Sequence, residues 1–218
     1  MSSAKPFLLI VAILFGFALH LSSVQAREIR TAIFAGGCFW CVEADFDKVN
    51  GVVNTTTGFI GGTVKNPTYK QVSRGGTGHY EAVRIRFDAD IVSYRQLVDI
   101  FWRSVDPVDA DGQFCDRGDT YRTALFVENK SQRADAQASK AAASAVLKRK
   151  IVTKILPAGA FYPAEKYHQD YSYSKVRVIT RFGWVTKAKA YKKYRTACGR
   201  DIRVRALWGD AAPFAEAS

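Results

Sequence analysis

The stretch Ile29-Arg30-Thr31-Ala32-Ile33-Phe34-Ala35-Gly36-Gly37-Cys38-Phe39-Trp40-Cys41 decides how this chain is read. Ile29 to Ala35 has the apolar character of a buried strand, and it breaks at two glycines. Helical patterning then starts at Phe39 and runs to Val49, where Asn50-Gly51 stops it. Cys38 therefore stands at the junction of strand and helix. The helix dipole and unpaired backbone N–H groups stabilise a thiolate there. The glycines let the backbone turn and let a substrate come close. Cys41 follows about one helical turn later, near enough to exchange a proton or form a disulfide with Cys38.

Outward from this segment, strands and helices alternate. Val52 to Phe59 is Val- and Thr-rich, as strands are, and Gly61 to Pro67 is a loop. From His79 to Phe87 the pattern has period two: Glu81, Val83, Ile85 and Phe87 share one face, Arg84 and Arg86 the other. Ser93-Tyr94-Arg95-Gln96 is a capping box that opens a helix to about Val105. Asp106 to Thr120 is a long polar loop, and a loop of that length in a compact domain is usually functional or disordered. Thr123 to Val127 reads as a strand, Ser131 to Lys150 as an Ala-rich helix and Ile151 to Leu156 as another strand. Alternating strands and helices around a mixed sheet point to an α+β or α/β sandwich. Lys187 to Arg205 reads as a basic helix running into a tail, and its charges as a solvated face.

The chain has 218 residues with 48% hydrophobic and 13% aromatic content, enough for a packed core and against wholesale disorder. It carries a net charge of +12, four cysteines, three histidines and one methionine, Met1. Three histidines argue against a His-rich metal site, and no metal is expected. Lys5, the apolar run Phe7 to Leu21 and the ending Val24-Gln25-Ala26 form a secretory signal pattern, with cleavage expected before Arg27. The run is shorter than a bilayer span and is interrupted by His20. Removing residues 1–26, which hold one lysine and no acid, leaves +11 and all four cysteines. The expected organisation is a signal peptide over 1–26, a catalytic domain over 27–186 and a basic tail over 187–218. Export places the cysteines where thiols either pair or do redox chemistry.

Cys38-Phe39-Trp40-Cys41 admits several readings from the residues alone. A structural disulfide is one. Zinc requires a second Cys or His pair, and Cys115 and Cys198 each stand alone. A thioredoxin-like disulfide oxidoreductase is another reading, although Phe-Trp is an unusual interior for it. A non-catalytic basic binding protein is a third, resting on the charge. Asp109-Ala110-Asp111-Gly112 has too few ligands for a calcium loop.

Further motifs follow in order: Gly51-Val52-Val53, Gly58-Phe59-Ile60-Gly61-Gly62, Asn66-Pro67-Thr68-Tyr69, Gly76-Thr77-Gly78-His79-Tyr80-Glu81-Ala82-Val83 and Phe161-Tyr162-Pro163-Ala164-Glu165, then Tyr167-His168-Gln169-Asp170-Tyr171. Together with Gly36-Gly37-Cys38-Phe39-Trp40, this ordered set resembles the peptide methionine sulfoxide reductase A family over about Ile29 to Tyr171. The expected fold is a two-layer ferredoxin-like sandwich with a mixed sheet and an irregular C-terminal tail.

The resemblance implies a peptide-methionine (S)-S-oxide reductase. Cys38 is then the nucleophile on the sulfoxide sulfur, and Glu81 the acid serving the sulfoxide oxygen. Tyr69 and Tyr121 bind that oxygen, Phe39 and Trp40 form the apolar wall for the S-methyl group, and Asp116 is an acid beside the site. Physical chemistry agrees with these roles. A sulfoxide oxygen leaves only when protonated or strongly hydrogen-bonded, and a Glu among aromatic rings can hold a proton near neutral pH. Attack yields a Cys38 sulfenic acid, which a second thiol converts to a disulfide. Many relatives have Gly where Cys41 stands, so the resolving thiol is open among Cys198, Cys41 and Cys115, in that order. His79 is expected to order the turn before Glu81. No bound cofactor is expected: an external thioredoxin-like dithiol supplies the electrons. The expected partners are oxidised proteins or free methionine sulfoxide and that reductase, with neither nucleic acid nor a lasting membrane anchor. The expected protein is an exported monomer, periplasmic or secreted.

Overall fold

The computed structural model describes residues 27–215. The expected signal segment, residues 1–26, lies outside the described residues. The chain begins with β1 (Ile29–Gly36), α1 (Phe39–Phe46), β2 (Val52–Ile60), α2 (Tyr69–Ser73), β3 (Tyr80–Asp88) and α3 (Tyr94–Trp102). A two-stranded hairpin, β4 (Gly112–Gln113) and β5 (Asp116–Arg117), precedes β6 (Thr123–Val127), α4 (Lys130–Leu147), β7 (Lys154–Pro157) and β8 (Tyr162–Pro163). The chain closes with β9 (Arg177–Thr180), β10 (Gly183–Thr186), α5 (Lys187–Ala197) and α6 (Arg200–Trp208). The main sheet has the order β7-β6-β1-β3-β2-β8, antiparallel throughout except for β6 and β7, which run parallel. It is therefore a mixed sheet in an α+β fold.

Alternation along the strands divides the interior in two. Ala32 and Phe34 of β1, Val83, Ile85 and Phe87 of β3 and Leu125 of β6 face the larger core. Phe39, Val42 and Phe46 of α1 join them there, with Leu97, Val98, Phe101 and Trp102 of α3. Phe34 is its hub, with ring centroids 5.4 Å from Phe46 and 5.2 Å from Phe101. Burying such a ring stabilises the fold by about 1.5–3 kcal/mol. The intervening residues Ile33, Ala35, Ala82, Ala124 and Phe126 form a smaller cluster on the opposite face. The capping box is formed: Ser93 Oγ accepts from Gln96 N–H at 3.2 Å and Gln96 Oε1 accepts from Ser93 N–H at 2.8 Å. Ser139 of α4 accepts from the Trp102 indole at 2.8 Å, which ties α4 to α3.

Two expectations change. The long loop from Asp106 is not structureless. The fully buried Gln113 side chain accepts from Asp106 N–H and donates to the carbonyls of Asp106 and Gly112, each at 2.8 Å. This bracket fixes the β4–β5 hairpin. The irregular basic tail is the second correction. Residues 187–208 form α5 and α6, and Val204, Trp208 and Ala212 belong to the large core. Several of its charges face inward rather than into solvent. Asp45 of α1, fully buried, accepts from Arg195 at 2.8 Å, and Arg195 also grips Asp201 at 2.6 Å. Arg200 is 2% exposed and donates to the Ser104 carbonyl at 2.8 Å and the Gly36 carbonyl at 3.3 Å. Such burial is tolerated only because each guanidinium is paired and hydrogen-bonded.

Candidate active site

The strand-to-helix junction shapes the site first. Gly37 has φ +81°, and a Cβ there would lie 2.6 Å from Gln113 Cβ. The position needs both the left-handed backbone and the missing side chain. The turn delivers Cys38 as the N-cap of α1. Glu81 lies beneath it, near the start of β3 and paired across the sheet with Phe59. It is 2% exposed, and its Oε2 accepts from the Phe39 N–H at 3.0 Å. One of the unpaired donors at the start of α1 is thus satisfied by the carboxyl group. Before it, His79 orders the turn as expected: Nδ1 accepts from Gly62 N–H at 3.1 Å, and Nε2 lies 2.8 Å from the Val64 carbonyl.

Cys38, Phe39, Trp40, Cys41, Tyr69, Glu81, Cys115, Asp116, Tyr121 and Cys198 all line one cavity of about 520 Å³. Every residue singled out from the sequence for the site is therefore brought to it. Tyr69 enters at the start of α2, where its N–H donates to Glu165 at 3.2 Å. The β4–β5 hairpin carries Cys115 and Asp116, and the short helical turn Asp119–Tyr121 carries Tyr121.

The electrostatics suit an acid and not a bare carboxylate. Burial pushes Glu81 up to about 8, with the Phe39 N–H opposing and the Asp116 charge adding. Burial also raises Tyr69 and Tyr121, so both phenols keep their protons. The Cys38 thiol is raised well above its ordinary value, first by its hydrogen bond with Cys41, then by burial, then by neighbouring acids. Cys41 is lowered, first by the same hydrogen bond, with Arg200 and Arg195 contributing. This departs from the expectation of a dipole-stabilised thiolate at Cys38. The hydrogen bond with Cys41 and burial, with the neighbouring acids, outweigh the helix terminus at Cys38, while that same hydrogen bond and the arginines favour the charged form of Cys41.

The disulfide in the structure joins Cys115 to Cys198, with Cα atoms 4.9 Å apart, while Cys38 and Cys41 are free thiols. Asp109, in the calcium-like stretch, is ion-paired with Arg117.

Several residues of the site carried no assigned role from sequence. His168 is 3% exposed, and burial pushes it down to about 4, so it is neutral at pH 7. Its ring lies 4.2 Å from that of Tyr69 and 5.6 Å from that of Trp40, and Tyr171 stacks on Trp40 at 3.8 Å. Both belong to the motif Tyr167 to Tyr171, which was the available signal. Arg200, Phe114 and Tyr194 also line the cavity, and no local pattern pointed to them.

A free cysteine at a helix start over a buried carboxyl, walled by aromatic rings, has the make-up of a thiol-based redox site. Residues 30–199 match the family model described as peptide methionine sulfoxide reductase, and the chain belongs to that family. Peptide methionine sulfoxide reductase MsrA 2 of Rhizobium meliloti is 48% identical over 203 residues, covering 92% of this chain and 96% of that protein. A second relative, MsrA of Halalkalibacterium halodurans, is 45% identical, over 84% of this chain and 98% of its own length. Among solved structures, reduced Mxr1 of Saccharomyces cerevisiae superposes with a TM-score of 0.64 at 29% identity, covering 67% of this chain and 85% of that one. Methionine sulfoxide reductase A of Corynebacterium diphtheriae gives 0.60 at 31% identity, covering 67% and 75%.

Proposed function

We propose that this protein reduces methionine S-sulfoxide, in proteins or free, to methionine. The observation that carries the reading is Glu81: a buried carboxyl held near pKa 8 under Cys38, in a cavity shared with the hydroxyls of Tyr69 and Tyr121. Cys38 sulfur attacks the sulfoxide sulfur while Glu81 gives its proton to the departing oxygen. The tyrosine hydroxyls share the charge that develops there, as an oxyanion site does. Phe39 and Trp40 hold the S-methyl group. The hydroxyl oxygen then passes from the substrate sulfur to the Cys38 sulfur: a Cys38 S–O bond forms, the substrate S–O bond and the new S–S bond break, and the electron pair leaves with the sulfide, so that Cys38 ends as a sulfenic acid and methionine as the reduced product. A thiolate then displaces that oxygen as water, forming a disulfide. An external dithiol takes up the oxidising equivalents by exchange, and no bound cofactor is needed.

The resolving order suggested by sequence, Cys198 before Cys41, is reversed in this reading. Cys198 is engaged with Cys115, whereas Cys41 is free, one turn from Cys38, and has its negative charge favoured by Arg195 and Arg200. The Cys115–Cys198 pair lines the same cavity; once the external dithiol has reduced it, its thiols can take the disulfide from Cys38–Cys41 by exchange and pass it outward. The strand order β6-β1-β3-β2 with α1 and α3 as connections supports a ferredoxin-like core. The N-terminal pattern supports export, with a thioredoxin-like reductant outside the cytoplasm. Thioredoxin-like exchange between Cys38 and Cys41 as the primary activity is not favoured, because exchange needs neither a protonated Glu nor phenols at a third position. Turnover of dabsyl-methionine sulfoxide with dithiothreitol tests the function. Absence of product, or product that survives Cys38→Ser, would sink it. Mass mapping after one turnover of fully reduced enzyme then tests the Cys38–Cys41 link.

A further inference from the structure

The β9–β10 hairpin is a separate two-stranded sheet, and no strand among the described residues pairs with its outer edges. Its two faces differ. Val178 and Val185 are cross-strand neighbours and half-buried. Ile179 and Trp184, also cross-strand neighbours, point outward, with 84% and 56% of their surfaces exposed. Val176, 59% exposed, precedes β9. A Trp and an Ile side by side in water are unusual unless something covers them. The hairpin is basic as well: Arg177 lies over the Trp184 ring at 5.7 Å and Arg181 over Phe182 at 4.8 Å, both arginines exposed.

The position of this face indicates its occupant. Val178, Ile179, Thr180 and Arg181 line the catalytic cavity, so the hairpin is its rim, and the exposed face runs from Ile179 at the cavity mouth to Trp184 beyond it. A methionine sulfoxide seated against Cys38 within a polypeptide brings the flanking residues of its own chain to that rim. The adjoining surface offers apolar side chains, unpaired strand edges and guanidinium groups, which are the elements of strand-addition recognition.

We propose that the Ile179–Trp184 face of the β9–β10 hairpin is a docking site for an extended segment of the substrate polypeptide, apolar next to the oxidised methionine and acidic beyond it. Backbone groups of the segment pair with a hairpin edge, its apolar side chains cover Ile179 and Trp184, and its acids meet Arg177 and Arg181. The proposal rests on the sulfoxide-reducing reading above. It adds that peptide-bound sulfoxide is distinguished from free amino acid at the rim of the cavity, on this chain's C-terminal hairpin.

The test compares two substrates in the full-length protein with dithiothreitol as reductant. One is dabsyl-methionine sulfoxide. The other is a ten-residue peptide with methionine sulfoxide between Val and Leu and with Asp and Glu at its ends. Trp184 does not line the cavity. Trp184→Ser is expected to lower kcat/KM for the peptide about tenfold, mostly through KM, and to change the small substrate less than about twofold. Trp184→Phe is expected to restore most of the peptide rate. A peptide with Lys in place of its acids is expected to be several-fold poorer with the parent protein. Equal losses on both substrates, or no loss on either, would overturn the proposal and leave the catalytic reading standing. A loss seen only when thioredoxin replaces dithiothreitol would overturn it in favour of a reductase surface. Failure of the parent protein on the small sulfoxide would remove the catalytic reading and this proposal together.

Discussion

Glu81→Gln separates the acid at the sulfoxide oxygen from every other contribution. The side chain keeps its shape and can still donate a hydrogen bond, but it has no proton to give up. With its carboxyl at about 8 rather than the ordinary 4.5, the parent holds that proton in about nine molecules of ten at pH 7, against about one in 300 for an unperturbed group. General acid catalysis of this kind contributes about 10²–10⁴-fold. The expected loss at pH 7 is about 10²–10³-fold, or ~3–4 kcal/mol of transition-state stabilisation. The pH dependence is the sharper test. Ionisation of Cys38 tilts both profiles, so the quantity to follow is the ratio of parent to variant. That ratio should be flat below about pH 7 and fall about tenfold between pH 7 and pH 9, as the parent loses its acid. The assay is a single turnover of fully reduced enzyme on methyl p-tolyl sulfoxide, quenched and quantified as sulfide, so reductant ionisation does not enter. Folding is checked by the same linkage. A carboxyl whose folded pKa is raised contributes most below its unfolded value, and its contribution falls as pH climbs towards 8. Glu81→Gln should therefore gain thermal stability relative to the parent between pH 5 and pH 8. A ratio that stays constant from pH 6 to pH 9.5, or a loss below about tenfold at pH 7, would refute the role given to Glu81.

Three further outcomes are expected. Tyr69→Phe and Tyr121→Phe should each lower single-turnover kcat/KM about tenfold, and together by more than the product of the two; hydrogen-bond donors at a developing oxyanion act on one charge. A strictly multiplicative pair would mean that the two phenols serve different groups. Arg200→Met combined with Asp45→Asn, which keeps the buried charge balanced, should slow disulfide formation after the sulfide is released. Trapping by dimedone should then recover more Cys38 sulfenic acid than in the parent, and equal trapping would remove Arg200 from the resolving step. Burial also pushes the Glu43 carboxyl up to about 8, so its ionisation opposes folding as pH rises above the ordinary carboxylate range. Glu43→Gln should raise the melting temperature more at pH 8.5 than at pH 5, and an equal change at both would show that Glu43 is not buried as a neutral acid.

What could be read in advance was what is local. Period-two alternation put Glu81 on the same face as Val83, Ile85 and Phe87, and that face is the core. Capping residues marked the start of α3, and two glycines before Cys38 marked the turn that exposes it. Each of these signals lies within about ten residues, where backbone sterics and side-chain spacing determine the outcome. The ordered motifs supplied the family, and with it the residues of the cavity.

The C-terminal third was different. Its basic residues carry no label for their partners, and a run of Lys and Arg looks the same whether solvated or paired. Only the fold brings Arg195 to Asp45, 150 positions away in the chain, and places Arg200 against the carbonyls of Gly36 and Ser104. The same packing decides the cysteines. The Cys115–Cys198 pair spans 83 residues, and four thiols in a sequence leave such pairings open. The exposure of Ile179 and Trp184 is likewise a property of the finished surface, since a strand's pattern shows that its faces alternate but not which face meets protein and which meets water. The sequence by itself determined the family and singled out Cys38 and Glu81. The tertiary structure decided which thiol stands nearest the nucleophile with its charge supported, and what borders the cavity, because both depend on contacts between segments far apart in the chain.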